Sequence, residues 1–299
     1  MSVQDLPPLR EALAEHGLMA DKRFGQHFLL DLNVTRKIAR LAAPLEDAVV
    51  VEVGPGPAGL TRALLEEGAG HVIAVEKDHR FIPLLGEVSA AADGRLSVIE
   101  ADALKIDEAA LIAAHAPGKT AKIVANLPYN VGTPLLVRWL TGAFTPALMV
   151  LMFQKEVADR IAAGVGEDAY GRLSVLAQAL AETRTAMTLP ARAFTPPPKV
   201  DSAVAVLTPK AERPSPAHVK ALERVTAAAF GQRRKMLRSS LKTLGGEALC
   251  IEAGIDPNAR AETVDVAGFL RLAAAVKGHA APLPLDGGGI EGGGARADI

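Results

Sequence analysis

The sequence predicts an α/β fold: a mainly parallel β-sheet with helices on both faces, followed by a smaller C-terminal helical domain. Two observations carry that expectation. Short apolar runs at 49–53, 72–75, 96–99, 122–125 and 148–153 alternate with stretches of helical spacing, such as Leu60-Leu64-Leu65 and Leu135-Leu136-Trp139-Leu140. That rhythm belongs to repeated strand–helix–strand units. After Pro209 it stops, and a helical pattern continues to about Lys277, broken at Gly245-Gly246 and at 254–257. Two further runs, 185–189 and 203–207, read as closing strands on either side of a proline-rich loop at 194–199. Residues 211–216 read as a linker. The expected division is therefore 1–210 for the sheet domain, 211–279 for the helical domain, and 280–299 for a disordered glycine-rich tail.

Composition narrows the function classes. A hydrophobic fraction of 49% is ample for a sizeable core. The single cysteine, Cys250, excludes an internal disulfide and a cysteine-cluster metal site, and no metal is expected. No apolar run reaches membrane-spanning length, and the start Gln4-Asp5-Leu6-Pro7-Pro8 does not read as a signal peptide, so a cytoplasmic protein with no membrane partner is expected. Net charge is -1, yet between Arg213 and Lys242 eight lysines and arginines face one acid, Glu223. Within that segment, Phe230-Gly231-Gln232-Arg233-Arg234-Lys235-Met236-Leu237-Arg238 reads as a helix continuing to Leu241 and Leu244. Arg234, Arg238 and Lys242 then share a face, with Arg233 and Lys235 beside them, while Leu237, Leu241 and Leu244 turn to the core. Such a stripe suits nucleic-acid phosphates; the alternative is a solvated helix face. Lys22 and Arg23 form a further basic pair open to the same two readings.

The chemistry-bearing residues fall at the ends of the predicted strands, where ligands of open α/β sheets collect. Gly54-Pro55-Gly56-Pro57-Ala58-Gly59 follows the first run. Its glycines permit a tight turn and close approach of a ligand to the main chain. The spacing matches GxGxxG, but Pro55 and Pro57 remove backbone donors that a pyrophosphate needs, so a phosphate-free cofactor fits better. Glu76 ends the second run, suited to a ribose diol. Asp102 follows the third, suited to an adenine amino group. Both also read as solvated strand-end acids. The fourth run leads into Asn126-Leu127-Pro128-Tyr129, which offers an amide acceptor, a backbone carbonyl and an aromatic platform for a purine. An ordinary proline turn with Tyr129 in the core is the plainer reading.

Together these stretches resemble the bacterial small-subunit ribosomal RNA adenine N6,N6-dimethyltransferase family. The matching motifs are Phe24-Gly25-Gln26-His27-Phe28-Leu29, residues 52–61, Glu76, Asp102-Ala103-Leu104, residues 126–129, Gln154-Lys155-Glu156-Val157, Tyr170-Gly171-Arg172-Leu173-Ser174, residues 194–202 and residues 230–235. They occur in family order from about Arg23 to about Leu272. The resemblance implies a Rossmann-like sheet that binds S-adenosyl-L-methionine (SAM). It also implies dimethylation of two adjacent adenosines near the 3′ end of 16S rRNA, a role in small-subunit biogenesis, and a monomer acting on the small ribosomal subunit. By likeness, Gly54 and Gly56 line the methionine end of SAM, Glu76 holds the ribose, and Asp102 and Ala103 hold the cofactor adenine. His27 and Leu29 belong to an N-terminal cap that closes over the cofactor. Asn126, Pro128 and Tyr129 receive the target base, with Asn126 also reaching the cofactor, and Phe194 holds the opposite face of the base. His27 departs from the asparagine common at its position, and Ala58 from the usual glycine.

Three rival readings remain on the sequence alone. A large-subunit rRNA methylase of the macrolide-resistance type shares the cofactor motifs, but the NLPY form and residues 194–202 favour the small-subunit enzyme. An NAD-dependent oxidoreductase follows from GxGxxG but leaves residues 126–129 without a task. A non-catalytic assembly factor is disfavoured by the intact Asn126, Tyr129 and Glu76.

Overall fold

A computed structural model describes residues 2–20, 26–232 and 234–276. Lys22, Arg23, Phe24, Gly25, Arg233 and the expected tail at 280–299 lie outside the described residues. Helix α1 (Leu9–Glu15) opens the chain and is followed by strand β1 (Phe28–Leu29) and helix α2 (Leu32–Arg40). Four strand–helix steps and a fifth strand come next: β2 (Ala48–Val53), α3 (Gly59–Glu66), β3 (His71–Glu76), α4 (Ile82–Ala91), β4 (Leu96–Glu100), α5 (Glu108–His115), β5 (Thr120–Asn126), α6 (Gly132–Thr141) and β6 (Leu148–Gln154). Helices α7 (Lys155–Ala162) and α8 (Arg172–Leu180) lead to β7 (Ala181–Leu189), β8 (Phe194–Thr195) and β9 (Ser202–Pro209). The C-terminal helices are α9 (Pro216–Phe230), α10 (Leu237–Ser240), α11 (Gly246–Glu252) and α12 (Val266–Ala275).

The seven-stranded sheet has the order β4-β3-β2-β5-β6-β9-β7, parallel from β4 to β6 and antiparallel at β6–β9 and β9–β7. All seven predicted strands form. β2 and β3 are buried along their whole length, as strands covered on both faces must be. Alternation assigns their side chains to two cores. Val49, Val51 and Val53 join one apolar cluster, and Val50, Val72 and Ala74 join the other. The first cluster continues without a break through α8 into Leu222 of α9 and Phe269 of α12. Tyr170 pins the junction, its hydroxyl donating to the Val264 carbonyl at 3.0 Å. Among the described residues no helix is long and apolar enough to cross a membrane.

One expected element does not form. The helix predicted from Phe230 through Leu244 ends at Phe230, and the chain turns before the four-residue α10. The backbone N–H groups of Leu237 and Arg238 are bonded to the carbonyls of Ala259 and Pro257, at 2.8 and 2.9 Å, and Met236 bridges Arg260. These non-local partners take the place of helical bonds at the N–H groups of Leu237 and Arg238. Arg234, Arg238 and Lys242 therefore share no single helical stripe. Leu237 and Leu241 are buried as expected, and Leu244 partly so.

Candidate active site

Consecutive strands run outward in opposite directions from β2: β3 lies on one side and β5 on the other. This is the switch point at which the loops beyond the strand ends splay apart and leave a crevice. A cavity of about 240 Å³ occupies it, lined by the glycine loop after β2, by Glu76 and Lys77, by residues 101–104, by residues 125–131, and by residues 26–29. Every residue expected to bind cofactor lines this cavity: His27, Leu29, Gly54, Gly56, Glu76, Asp102, Ala103 and Asn126. Asn126, Pro128 and Tyr129 do as well.

The loop depends on left-handed backbone at Gly54 (φ 68°), Gly56 (φ 51°) and Ala58 (φ 66°), so two glycines meet the requirement freely and Ala58 meets it against its Cβ. Gly59 matters for another reason. A Cβ there would come within 2.8 Å of the Leu29 carbonyl oxygen, so its absence lets the cap strand lie on the start of α3. Glu76 is 5% exposed, and its two oxygens accept the backbone N–H groups of Gly56 (3.0 Å) and Asp78 (2.8 Å). Each oxygen keeps a lone pair for a hydroxyl. Burial pushes its carboxyl up, against those backbone bonds. Asp102 is shifted the other way: Lys77 Nζ donates to it at 2.9 Å and the Leu104 N–H at 3.0 Å, keeping its carboxyl below the usual range.

Sequence reasoning gave two acids here no role. Glu52, 1% exposed, accepts from the Thr61 hydroxyl at 2.6 Å, and burial pushes its carboxyl up to about 8. A lone acid inside the apolar run Val49-Val50-Val51-Glu52-Val53 was the available signal. Asp78, also buried, accepts from Gln26 Nε2 at 2.9 Å and from Arg80, tying the cap to the loop beside Glu76. Nothing in its local sequence marks it.

On the other side of the cavity, Asn126 Nδ2 donates to the His27 carbonyl at 3.3 Å, which leaves Oδ1 as an acceptor. The second acceptor needs correction. The Pro128 carbonyl accepts from both Val131 and Gly132 N–H at 3.1 Å, engaging both lone pairs at the start of α6. The Leu127 carbonyl accepts no bond among the described residues, so the free carbonyl is one residue earlier. The Pro128 ring instead packs towards Gly54, where a Cβ would sit 3.5 Å from its Cδ. Tyr129, half-buried, shares a 2.7 Å hydrogen bond between its hydroxyl and Ser202 Oγ, and burial raises its phenol. Phe194 is the expected acceptor-side residue that does not line the cavity: it is 3% exposed and pairs with Leu29 in a two-stranded sheet of β1 and β8.

The basic segment is also rearranged. Arg213 is not a free cation, because it donates to Thr145 Oγ1 and to the Leu140 carbonyl at the end of α6. Arg234, Lys235, Arg238 and Lys242 are exposed and form no ion pair among the described residues. The bridge at Met236 brings exposed Arg260 beside them, a neighbour that sequence spacing does not reveal.

Comparison with known proteins decides the family. Residues 17–277 match the family described as ribosomal RNA adenine dimethylase. The chain belongs to the ribosomal RNA adenine dimethylase family. Its relatives include the ribosomal RNA small subunit methyltransferase A of Phenylobacterium zucineum, 68% identical over 91% of this chain and 94% of that protein. The protein of the same name from Caulobacter vibrioides is also 68% identical, over 88% of this chain and 99% of the relative. Among solved structures, a dimethyladenosine transferase from Plasmodium falciparum superposes with a TM-score of 0.66 at 25% identity, covering 82% of this chain and 96% of that one. The 23S rRNA methyltransferase ErmE gives 0.65 at 28% identity, covering 83% and 99%. The cavity carries acids and a glycine loop on one side, and an amide and an aromatic ring on the other.

Proposed function

We propose that this protein transfers methyl groups from SAM to the N6 amines of two adjacent adenosines near the 3′ end of 16S rRNA, and so takes part in small-subunit biogenesis. The observation that carries this reading is the joining of two binding sets in one cavity across the β2/β5 switch point. Residues 1–210 perform the chemistry in this reading, and residues 211–279 hold rRNA. The partner is the small ribosomal subunit, met in the cytoplasm by a monomer.

The residues present fit SAM. Gly54 and Gly56 leave room for the methionine end, Glu76 retains acceptor capacity for a ribose diol, and Asp102 with Ala103 suits the adenine edge. The cofactor has no phosphate, which agrees with a loop carrying Pro55 and Pro57. When bound, it supplies an electrophilic methyl group on a sulfonium.

The chain's own task is to prepare the amine. An adenine amino nitrogen is a weak nucleophile because its lone pair is delocalised into the ring. Acceptors at its hydrogens favour localisation of that pair, and Asn126 Oδ1 with the Leu127 carbonyl are the free acceptors here. Tyr129 offers a ring face that replaces the stacking lost when the base leaves its helix. Phe194, 3% exposed in β8 and outside the cavity lining, contributes the opposite face only if its surroundings rearrange. Arg234, Lys235, Arg238 and Lys242, joined by Arg260, offer phosphate contacts without reading bases.

The test is transfer of labelled methyl groups to unmodified small subunits, followed by nucleoside mass spectrometry. Dimethyladenosine confined to the 3′ region of 16S rRNA is expected. Incorporation into large-subunit rRNA alone would redirect the reading, and absence of SAM binding would overturn it.

A further inference from the structure

The segment joining the two domains reads as a linker in sequence, yet the fold ties it down on both sides. The Lys210 N–H donates to the Leu180 carbonyl at 3.0 Å and its Nζ to the Gln178 carbonyl at 2.6 Å, both in the last turn of α8. Arg213 reaches α6 instead. One of its terminal nitrogens donates to Thr145 Oγ1 at 2.6 Å, and the other to the Leu140 carbonyl. Leu140 lies in the last turn of α6, where carbonyls lack partners within the helix and the helix dipole favours a cation. The same helix starts from the Pro128 carbonyl, which takes the N–H groups of Val131 and Gly132. Its ten residues make a strut of about 15 Å with the residues after β5 at one end and Arg213 at the other.

The linker runs directly into α9, capped by Ser215 Oγ on the His218 N–H at 3.3 Å. The far end of α9 is held as well. Phe230 stacks on Phe269 (centroids 5.3 Å, planes 29°) and meets the edge of Tyr170 at 6.0 Å. Tyr170 belongs to the sheet domain, so α9 is fastened to that domain at both ends. The basic segment with Arg234, Lys235 and Arg238 follows immediately.

This fastening bears on how a target is chosen. An amide and an aromatic ring suit any unstacked adenine, and phosphate contacts carry no sequence information. Neither surface alone can pick two adenosines out of an rRNA. A fixed distance and direction between them can.

We propose that Arg213 is a positioning residue that fixes the spacing between the cavity and the basic segment, so that target adenosines are selected by where they lie relative to the RNA held at Arg234, Lys235 and Arg238. The proposal rests on the reading of the cavity as the adenine site and of the basic segment as the rRNA face. The guanidinium suits the task because its planar fork serves two acceptors in one orientation, whereas an ammonium supplies only a point charge.

The test uses the full chain with Arg213→Ala, Arg213→Lys and Thr145→Val. Spin labels on Ala109→Cys and Ile251→Cys, both exposed and in different domains, report the spacing, since Cys250 is buried. Methyl transfer to unmodified small subunits, with mass-spectrometric mapping of the methylated positions, reports the selection. In Arg213→Ala the distance distribution broadens, kcat falls about tenfold, and methyl groups spread beyond the two adjacent adenosines. Cofactor Kd and particle Kd stay within about twofold, because neither surface loses a contact. Arg213→Lys recovers part of the loss, and Thr145→Val, which removes one acceptor only, gives a smaller change in the same direction. A distribution as narrow as the parent's in Arg213→Ala would overturn the positioning role. A broadened distribution with unchanged sites and kcat would overturn selection by spacing. If Arg213→Ala does not fold, Arg213→Lys and Thr145→Val decide by the same two readouts. Failure of the parent protein to modify the adjacent adenosines is a separate result, and it would remove the functional reading on which the proposal rests.

Discussion

Glu76 and Arg238 are both charged residues set at a proposed binding surface, and the fold treats them in opposite ways. Glu76 is 5% exposed with a backbone N–H on each carboxylate oxygen. Arg238 stands exposed with no carboxylate partner among the described residues. The first arrangement orients a group before the ligand arrives, at the cost of burying a carboxylate that resists ionisation. The second leaves long side chains free to follow a phosphate backbone, where charge matters more than direction. A small-molecule pocket needs fixed geometry. A phosphate-facing surface needs unpaired cations, and it tolerates a broken helix.

The largest effect should fall where geometry is strictest. Asn126→Ala removes the acceptor proposed for the amine, and methyl transfer should fall about a hundredfold to a thousandfold while particle binding persists. Labelled-methyl incorporation alongside a particle pull-down checks it; joint loss of both would remove Asn126 from the chemistry. Reversing charge at Arg234 and Arg238 together should weaken particle binding by about tenfold or more and flatten its salt dependence by roughly one unit of slope per lost phosphate contact. Cofactor affinity should not change, and a titration across salt concentrations reads both quantities.

Two smaller effects sharpen the view of the cofactor side. The Glu52 carboxyl, raised by burial from 4.5 to about 8, keeps a proton that the unfolded chain has already released. The native state then binds more protons between 4.5 and about 8, so this contribution is complete below 4.5 and disappears as pH rises through about 8. Glu52→Gln, which cannot ionise, should show a flatter fall in denaturation midpoint between about pH 5 and about pH 8.5. An unchanged slope would mean that Glu52 is ionised in the fold. Smallest is Ala58→Gly. Left-handed backbone costs an alanine about 1–2 kcal/mol, and glycine's extra freedom in the unfolded chain returns about 0.4–1 kcal/mol of that. A net gain of a few tenths of a kcal/mol should appear as a slightly higher Tm.

Much of the cavity lining could be read from the chain. Gly54, Glu76 and Asp102 lie at the ends of successive strands, and parallel strands carry their C-terminal ends to one edge. Asn126 and Tyr129 were readable for the same reason. The Pro128 carbonyl was misassigned because a motif does not reveal which carbonyl a following helix will engage. The basic stripe was misread as one helix because spacing four is a local pattern. Leu237 and Arg238 instead bond to Ala259 and Pro257, about twenty residues away.

The sequence by itself determined the strand and helix order, the glycine turn and the residues at each strand end, since periodicity, glycine and proline act over a few neighbours. Only the tertiary structure decided that His27 turns to Tyr129 and Pro196, that Arg260 joins Arg238, that Arg213 is tied to α6, and that Phe194 is buried where β8 pairs with β1. Those outcomes depend on contacts between distant segments, and each is decided by which partner reaches a hydrogen-bonding group or an apolar face first in space, not in sequence.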